Sequence, residues 1–175
     1  MLIARAQRGF TIIELAVSIA ISAILVALAV PSFKIMLANA QIRTAAQALH
    51  DGLQLARVEA IRRNESVVFT KAAASDWTIS TENTGTTLQT RPSSEGSAIA
   101  NVTVIPNGAT KITLNSLGRV VANTDASSSI SQLDIHVPST VIASTDSKDL
   151  RITVTTGGAI RICDPNAAAG VGMGC

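Results

Sequence analysis

The longest apolar run in the chain spans residues 15–33, about 19 positions without a charge, and the residue before it is an acid, Glu14. As a helix, such a run rises roughly 28 Å, enough to cross a hydrocarbon core of ~30 Å. Beyond Lys34 the pattern becomes one-sided. Ile42, Ala45, Ala46, Leu49, Leu53, Ala56, Ala60 and Ile61 recur every three or four residues, while Arg43, Gln47, His50, Gln54 and Arg57 fall mostly on other faces. That spacing predicts an amphipathic helix. Glu59 stands three and four positions before Arg62 and Arg63, a pairing that supports a helical surface. Asn64 can end the helix, because Asn tolerates the left-handed cap conformation. The reading is one helix over residues 10–64, with residues 10–33 as its membrane-spanning part. At roughly 80 Å it is longer than a soluble domain of the remaining size needs, but suited to a filament core.

After Asn64 the period shifts from 3.6 to 2 and β-branched residues take over. Strands are predicted at 66–71, 77–81, 86–90, 101–105, 111–115, 119–122, 133–137, 151–155 and 159–163. No helix-length crossover separates them, so antiparallel pairing follows. Asn115-Ser116-Leu117-Gly118 carries Asn first and Gly fourth, the signature of a type I turn. Gly157-Gly158 reads as a two-residue hairpin loop, a register that sets Arg161 opposite Val154 and Arg151 opposite Asp164. The fold class is α+β: a long N-terminal helix, transmembrane and then amphipathic, packed on an antiparallel β-domain of residues 65–175.

Composition narrows the chemistry. Only 2% of the 175 residues are aromatic, so the core must be aliphatic and stacking platforms for nucleic-acid bases are nearly absent. A net charge of +2 does not by itself argue for a polyanionic partner. The two cysteines, Cys163 and Cys175, are too few for a zinc site, and neither His50 nor His136 lies near them in sequence. They are either a disulfide or two free thiols, and a domain outside the cytoplasm favours the disulfide.

Arg5 and Arg8 precede the apolar run and the next basic residue is Lys34. This asymmetry keeps the N-terminus cytoplasmic and sends the domain outward. A cleaved secretory signal has a shorter apolar region ending at small residues. Ala27-Leu28-Ala29 offers such a set, but the helical pattern runs on past it. Glu14 asks for more than a simple anchor, since an acid in a membrane segment costs ~2.5–3.5 kcal/mol at helix centre and usually has a partner. If the chain were cut between Gly9 and Phe10, Glu14 would lie about 6 Å along the helix from a new α-amino group, near the positive end of the helix dipole. An amine on a neighbouring copy could then neutralise it and set subunit register.

Arg8-Gly9-Phe10-Thr11-Ile12-Ile13-Glu14-Leu15, followed by an apolar helix reaching Pro31-Ser32-Phe33, resembles the N-terminus of type IV pilins and type II secretion pseudopilins. The resemblance implies a leader of residues 1–9, cleavage after Gly9 by a prepilin peptidase, N-methylation of Phe10, an assembly role for Glu14 and a break in the helix around Pro31. It also implies a single-pass inner-membrane subunit with a periplasmic domain, whose partners are other pilins or pseudopilins. Residues 50–64, 112–121 and 157–165 are similar to the FimT/FimU/GspH branch of minor pilins and minor pseudopilins. Some members of this branch take part in DNA uptake and share Gly-Arg-x-Arg on the last hairpin. Here the matching positions are Gly158, Ala159, Ile160 and Arg161, so half of the basic pair is present. Arg119, Lys148 and Arg151 could add to a DNA contact if they share a face, since affinity grows with the number of phosphates neutralised.

No enzyme is expected. The serines lack a nucleophile-elbow context and the carboxylates Asp76, Glu82, Glu95, Asp125, Asp134, Asp146 and Asp149 are scattered through predicted loops and strands. His50 has no second ligand at helical spacing and reads as a surface residue. No metal and no cofactor is expected.

Overall fold

A computed structural model describes residues 10–168 and 173–175. The leader, with Arg5, Arg8 and the cleavage residue Gly9, lies outside the described residues. One helix, α1 (Ile12–Arg63), carries the molecule. Its first turn is closed by a capping box: the Thr11 hydroxyl accepts from the Glu14 N–H, and the Glu14 carboxylate accepts from the Thr11 N–H, each at 3.2 Å. This satisfies donors that every helix N-terminus leaves open. At the other end Asn64 takes the left-handed conformation at φ 54°. There the Asn64 and Glu65 N–H groups reach back to Ile61 O and Ala60 O, the pairing of a Schellman cap. Pro31 lies inside α1. In place of the expected break, the helix continues through it. Proline removes one backbone bond there, and the long helical segments on both sides sustain the rod.

Among the described residues nine strands follow: β1 (Val67–Lys71), β2 (Trp77–Thr81), β3 (Thr87–Arg91), β4 (Asn101–Ile105), β5 (Lys111–Leu114), β6 (Val120–Val121), β7 (Gln132–His136), β8 (Leu150–Val154) and β9 (Ile160–Cys163). They form two antiparallel sheets, ordered β3-β2-β1-β5-β6 and β4-β7-β8-β9. The second half of α1 lies against both, touching β1, β2 and β5 of one and β7, β8 and β9 of the other. Its buried stripe is mostly small: Ala38, Ala45, Ala46, Gly52, Ala56 and Ala60, with Ile42, Leu49 and Leu53 between them. Against it stand Phe69, Ile79, Ile112, Leu133, Ile135 and Ile152, all without accessible surface.

One register differs from expectation. The last hairpin pairs Val154 with Ile160 and Thr153 with Arg161, so Arg161 faces Thr153 and Arg151 faces Cys163. The loop holds three residues, Thr156, Gly157 and Gly158. The Gly158 N–H bonds to Thr155 O, and Gly158 sits at φ +81°. A type I turn followed by a left-handed residue requires that third position, and it shifts each cross-strand pair by one residue.

Gly52 lies where the helix meets the aromatic pair Phe69 and Trp77, whose rings are 5.8 Å apart. A Cβ on Gly52 would stand 2.8 Å from the Trp77 ring and 3.0 Å from Phe69. On an open helix Gly→Ala gains about 1 kcal/mol. Here Gly52→Ala is expected to reverse that sign and destabilise the protein by about 1–3 kcal/mol, read as the urea midpoint of Trp77 fluorescence. A second expectation concerns acid. Glu59 bonds Arg62 at 2.7 Å and Arg63 at 2.8 Å, and these hydrogen bonds hold its carboxyl down at about 2. The lowered value means that the pairing stabilises the fold above the ordinary carboxylate range and is lost as pH falls towards about 2. Wild type should exceed Glu59→Gln by less than about 1 kcal/mol at pH 7, and the difference should close in acid melts.

Candidate assembly helix and hairpin junction

Up to Lys34, α1 packs on nothing among the described residues. Phe10, Ile12, Ile13, Leu15, Ile19, Ile24, Leu25, Val26, Leu28 and Phe33 all stand exposed; Ile35 is the first to pack partly against the core, and full burial begins at Ala38, 1% accessible. Among the described residues α1 is the one helix long and apolar enough to cross a membrane. Each such side chain favours leaving water by about 1.5–3 kcal/mol, so this surface requires lipid or other helices. Its polar side chains suit that setting. The Ser18 and Ser22 hydroxyls donate to Glu14 O and Ser18 O, both at 2.7 Å, which satisfies them inside the helix.

Glu14 sits at the head of this surface. Both the Thr11 N–H and the Thr11 hydroxyl donate to the same carboxylate oxygen, Oε2, at 3.2 Å. The described hydrogen bonds leave Oε1 open to a cation from elsewhere. The capping box was missed in reading the sequence, although its signal, Thr-x-x-Glu over Thr11 to Glu14, is a known one.

At the far end of the domain two hairpin tips meet. The Asn115 turn is the predicted type I turn: the Gly118 N–H bonds to Asn115 O at 2.8 Å. Its carbonyl lies so close to Gly158 that a Cβ there would come within 1.9 Å of Gly118 O. The Val120 N–H crosses to Thr156 O at 3.1 Å, and the Arg57 and Ile61 side chains of α1 lie against Gly118. The segments 112–121 and 157–165, far apart in sequence, are thus one junction resting on the helix end.

Of the four cations considered for DNA, Arg151 and Arg161 share one face of the second sheet as diagonal neighbours across β8 and β9. Arg151 holds Asp134 of β7 through two bonds, 2.6 and 3.1 Å, which raises its already high pKa and consumes its charge. Arg119 is at the junction. Lys148 is at the opposite end of β8, its N–H bonded to Asn39 of the helix. Arg161 is exposed on the outer face of β9.

Cys163 and Cys175 are joined in a disulfide. Residues 173–175 lie beside Asp164, whose N–H bonds Met173 O and whose O accepts from the Cys175 N–H. His50 lies beside Asp51 at 3.2 Å on the helix surface. Among the described residues no group of three or more His, Cys, Asp or Glu side chains could hold a metal.

Comparison with known proteins gives the same picture from outside. Residues 45–158 match the family described as Type II transport protein GspH, and residues 4–30 match the Prokaryotic N-terminal methylation motif. The fold is similar to that of the type IV minor pilin FimU of Pseudomonas aeruginosa strain PAO1 in two crystal forms. One gives a TM-score of 0.54 at 17% identity over 74% of this chain and 92% of that one. The other gives 0.50 at 16% identity over 73% and 97%. Among curated protein sequences none matches.

The junction yields a paired test. A Cβ on Gly157 would meet nothing nearer than Thr155 Oγ1 at 3.8 Å, while on Gly158 it collides with the Gly118 backbone and strains a positive φ. Gly157→Ala should leave stability within about 0.5 kcal/mol, and Gly158→Ala should lower it by about 1–3 kcal/mol or more, both measured by urea unfolding.

Proposed function

The chain belongs to the GspH family of pilin-like proteins, and from that premise we propose that it is a minor subunit built into a type IV pilus through its N-terminal helix. The related short filament of type II secretion is the alternative setting. The observation that carries the reading is the division of α1 between Lys34 and Ala38, where packing on the domain begins. One half is the spine of the β-domain, and the other is an apolar surface of filament-core length that finds no partner among the described residues. In this reading a prepilin peptidase cuts after Gly9, Phe10 becomes the N-methylated terminus, and the chain waits as a single-pass inner-membrane protein with its domain in the periplasm. Apolar helices then pack together. The open Oε1 of Glu14 accepts a neighbouring Phe10 amine while Oε2 keeps the capping box closed. A DNA-receptor role draws no comparable support, because Arg151 is paired with Asp134 and Ala159 stands where a second arginine would be; few free cations give little phosphate affinity.

The two tasks of Glu14 can be separated. Glu14→Gln retains a side chain able to complete the capping box but removes the charge, and Glu14→Ala removes both. Both variants should insert in the membrane and be processed, and both should drop out of sheared filaments on immunoblots. Normal incorporation of Glu14→Gln would reduce Glu14 to a helix cap. Gly9→Leu should leave the precursor uncleaved in the inner membrane; mature-sized protein from that variant would remove the cleavage assignment. Deleting the gene separates the two settings, with loss of surface pili expected for a pilus and loss of exported proteins for a secretion filament.

A further inference from the structure

Where α1 leaves the domain, two amide side chains each hold a loop. Asn39 uses both of its polar atoms on the loop between β7 and β8: its Nδ2 donates to Asp146 O at 2.9 Å, and its Oδ1 accepts from the Lys148 N–H at 2.8 Å. Gln41 holds the crossover from β3 to β4, which joins the two sheets, through Oε1 accepting the Ile99 N–H at 3.1 Å. Residues two apart on a helix point about 200° from one another, so the two loops flank the helix on different sides. The buried stripe Ala38, Ile42 and Ala45 runs between them. On the Gln41 side the grip extends one turn further, since a Cβ on Gly96 would rest 3.4 Å from Thr44 Cγ2. Ile142 anchors the other loop in the core at 6% exposure. Only seven residues separate this collar from Pro31, where the helix lacks a backbone bond.

We propose that Asn39 and Gln41 are positioning residues that clamp both sheets onto the helix at its exit, so that bending is confined to residues 31–34, before Ile35 meets the core, and the apolar half projects in a fixed direction. Packing alone would leave the first buried turn, all Ala and Ile on one face, free to fray; the side-chain bonds to three backbone groups of two loops close it. The consequence for assembly rests on the function proposed above, whereas the clamp itself does not.

Both cysteines are in the disulfide, so engineered cysteines on the full chain in lipid nanodiscs can carry nitroxides. Spin-echo distances would be measured for Leu37→Cys with Thr90→Cys, across the collar, and for Val58→Cys with Thr90→Cys, beyond it. In the background Asn39→Ala/Gln41→Ala, the first distribution should broaden about twofold and the second should not change. Gln41→Glu with Asn39 unchanged, which keeps the acceptor for the Ile99 N–H and both Asn39 bonds, should retain the narrow first distribution. An unchanged first distribution, or equal broadening of both, would overturn the clamp. Incorporation of the alanine double variant into filaments should fall several-fold with normal N-terminal processing; broadened distances with normal incorporation would overturn the positioning role. If the unmodified chain itself were absent from filaments, the function proposed above would fall, and the distances alone would decide the clamp.

Discussion

A single helix must satisfy two solvents, and the rest of the structure follows from that. Its first half exposes Ile, Leu, Val and Phe in every direction, as a segment hydrophobic all round does when it is destined for lipid or other helices. Its second half presents one stripe of small side chains. Among the described residues no strand of one sheet pairs with a strand of the other, and α1 touches both. The helix is therefore a shared floor for two sheets, and a change in its stripe is felt by both.

The smallness of that stripe explains the odd composition. Of the three phenylalanines, Phe10 and Phe33 lie on the exposed half and only Phe69 is in the domain, beside the single tryptophan, Trp77. Alanines at the helix surface let the sheets come close, and a close sheet leaves no room for rings. The one aromatic pair fits only over Gly52, where the helix offers no side chain at all. Glycine inside a helix costs about 1 kcal/mol against alanine, a loss that the buried rings exceed.

Much of this was legible locally. The change of period at Asn64 fixed where helix gives way to sheet, and all nine strands lie within about two residues of their predicted positions because alternation is a local signal. The Asn115 turn was read correctly for the same reason. What failed was long-range or depended on one dihedral angle. Gly157-Gly158 suggested a two-residue loop, but Gly158 alone takes a positive φ, and the resulting third loop residue moved Arg161 and Arg151 to other partners. Asp134, which holds Arg151, is 17 residues away from it. Asn39 and Gln41 gave no sign in the sequence, because their partners are backbone groups 58 to 109 residues distant and no periodicity reports those.

Glu14 shows how local and intermolecular logic can share one residue. An acid at the third helical position is ordinary in water, where a capping box stabilises a helix start, and costly in hydrocarbon, where it needs a counter-charge. The carboxylate has two oxygens, and the capping box engages only one. Folding the helix end therefore does not compete with meeting a neighbour's amine. In the proposed assembly it would prepare for it, because Thr11 already holds the carboxylate in place. A residue that looked like a flaw in an apolar segment is thus compatible with both environments the helix meets, first alone and then among its neighbours.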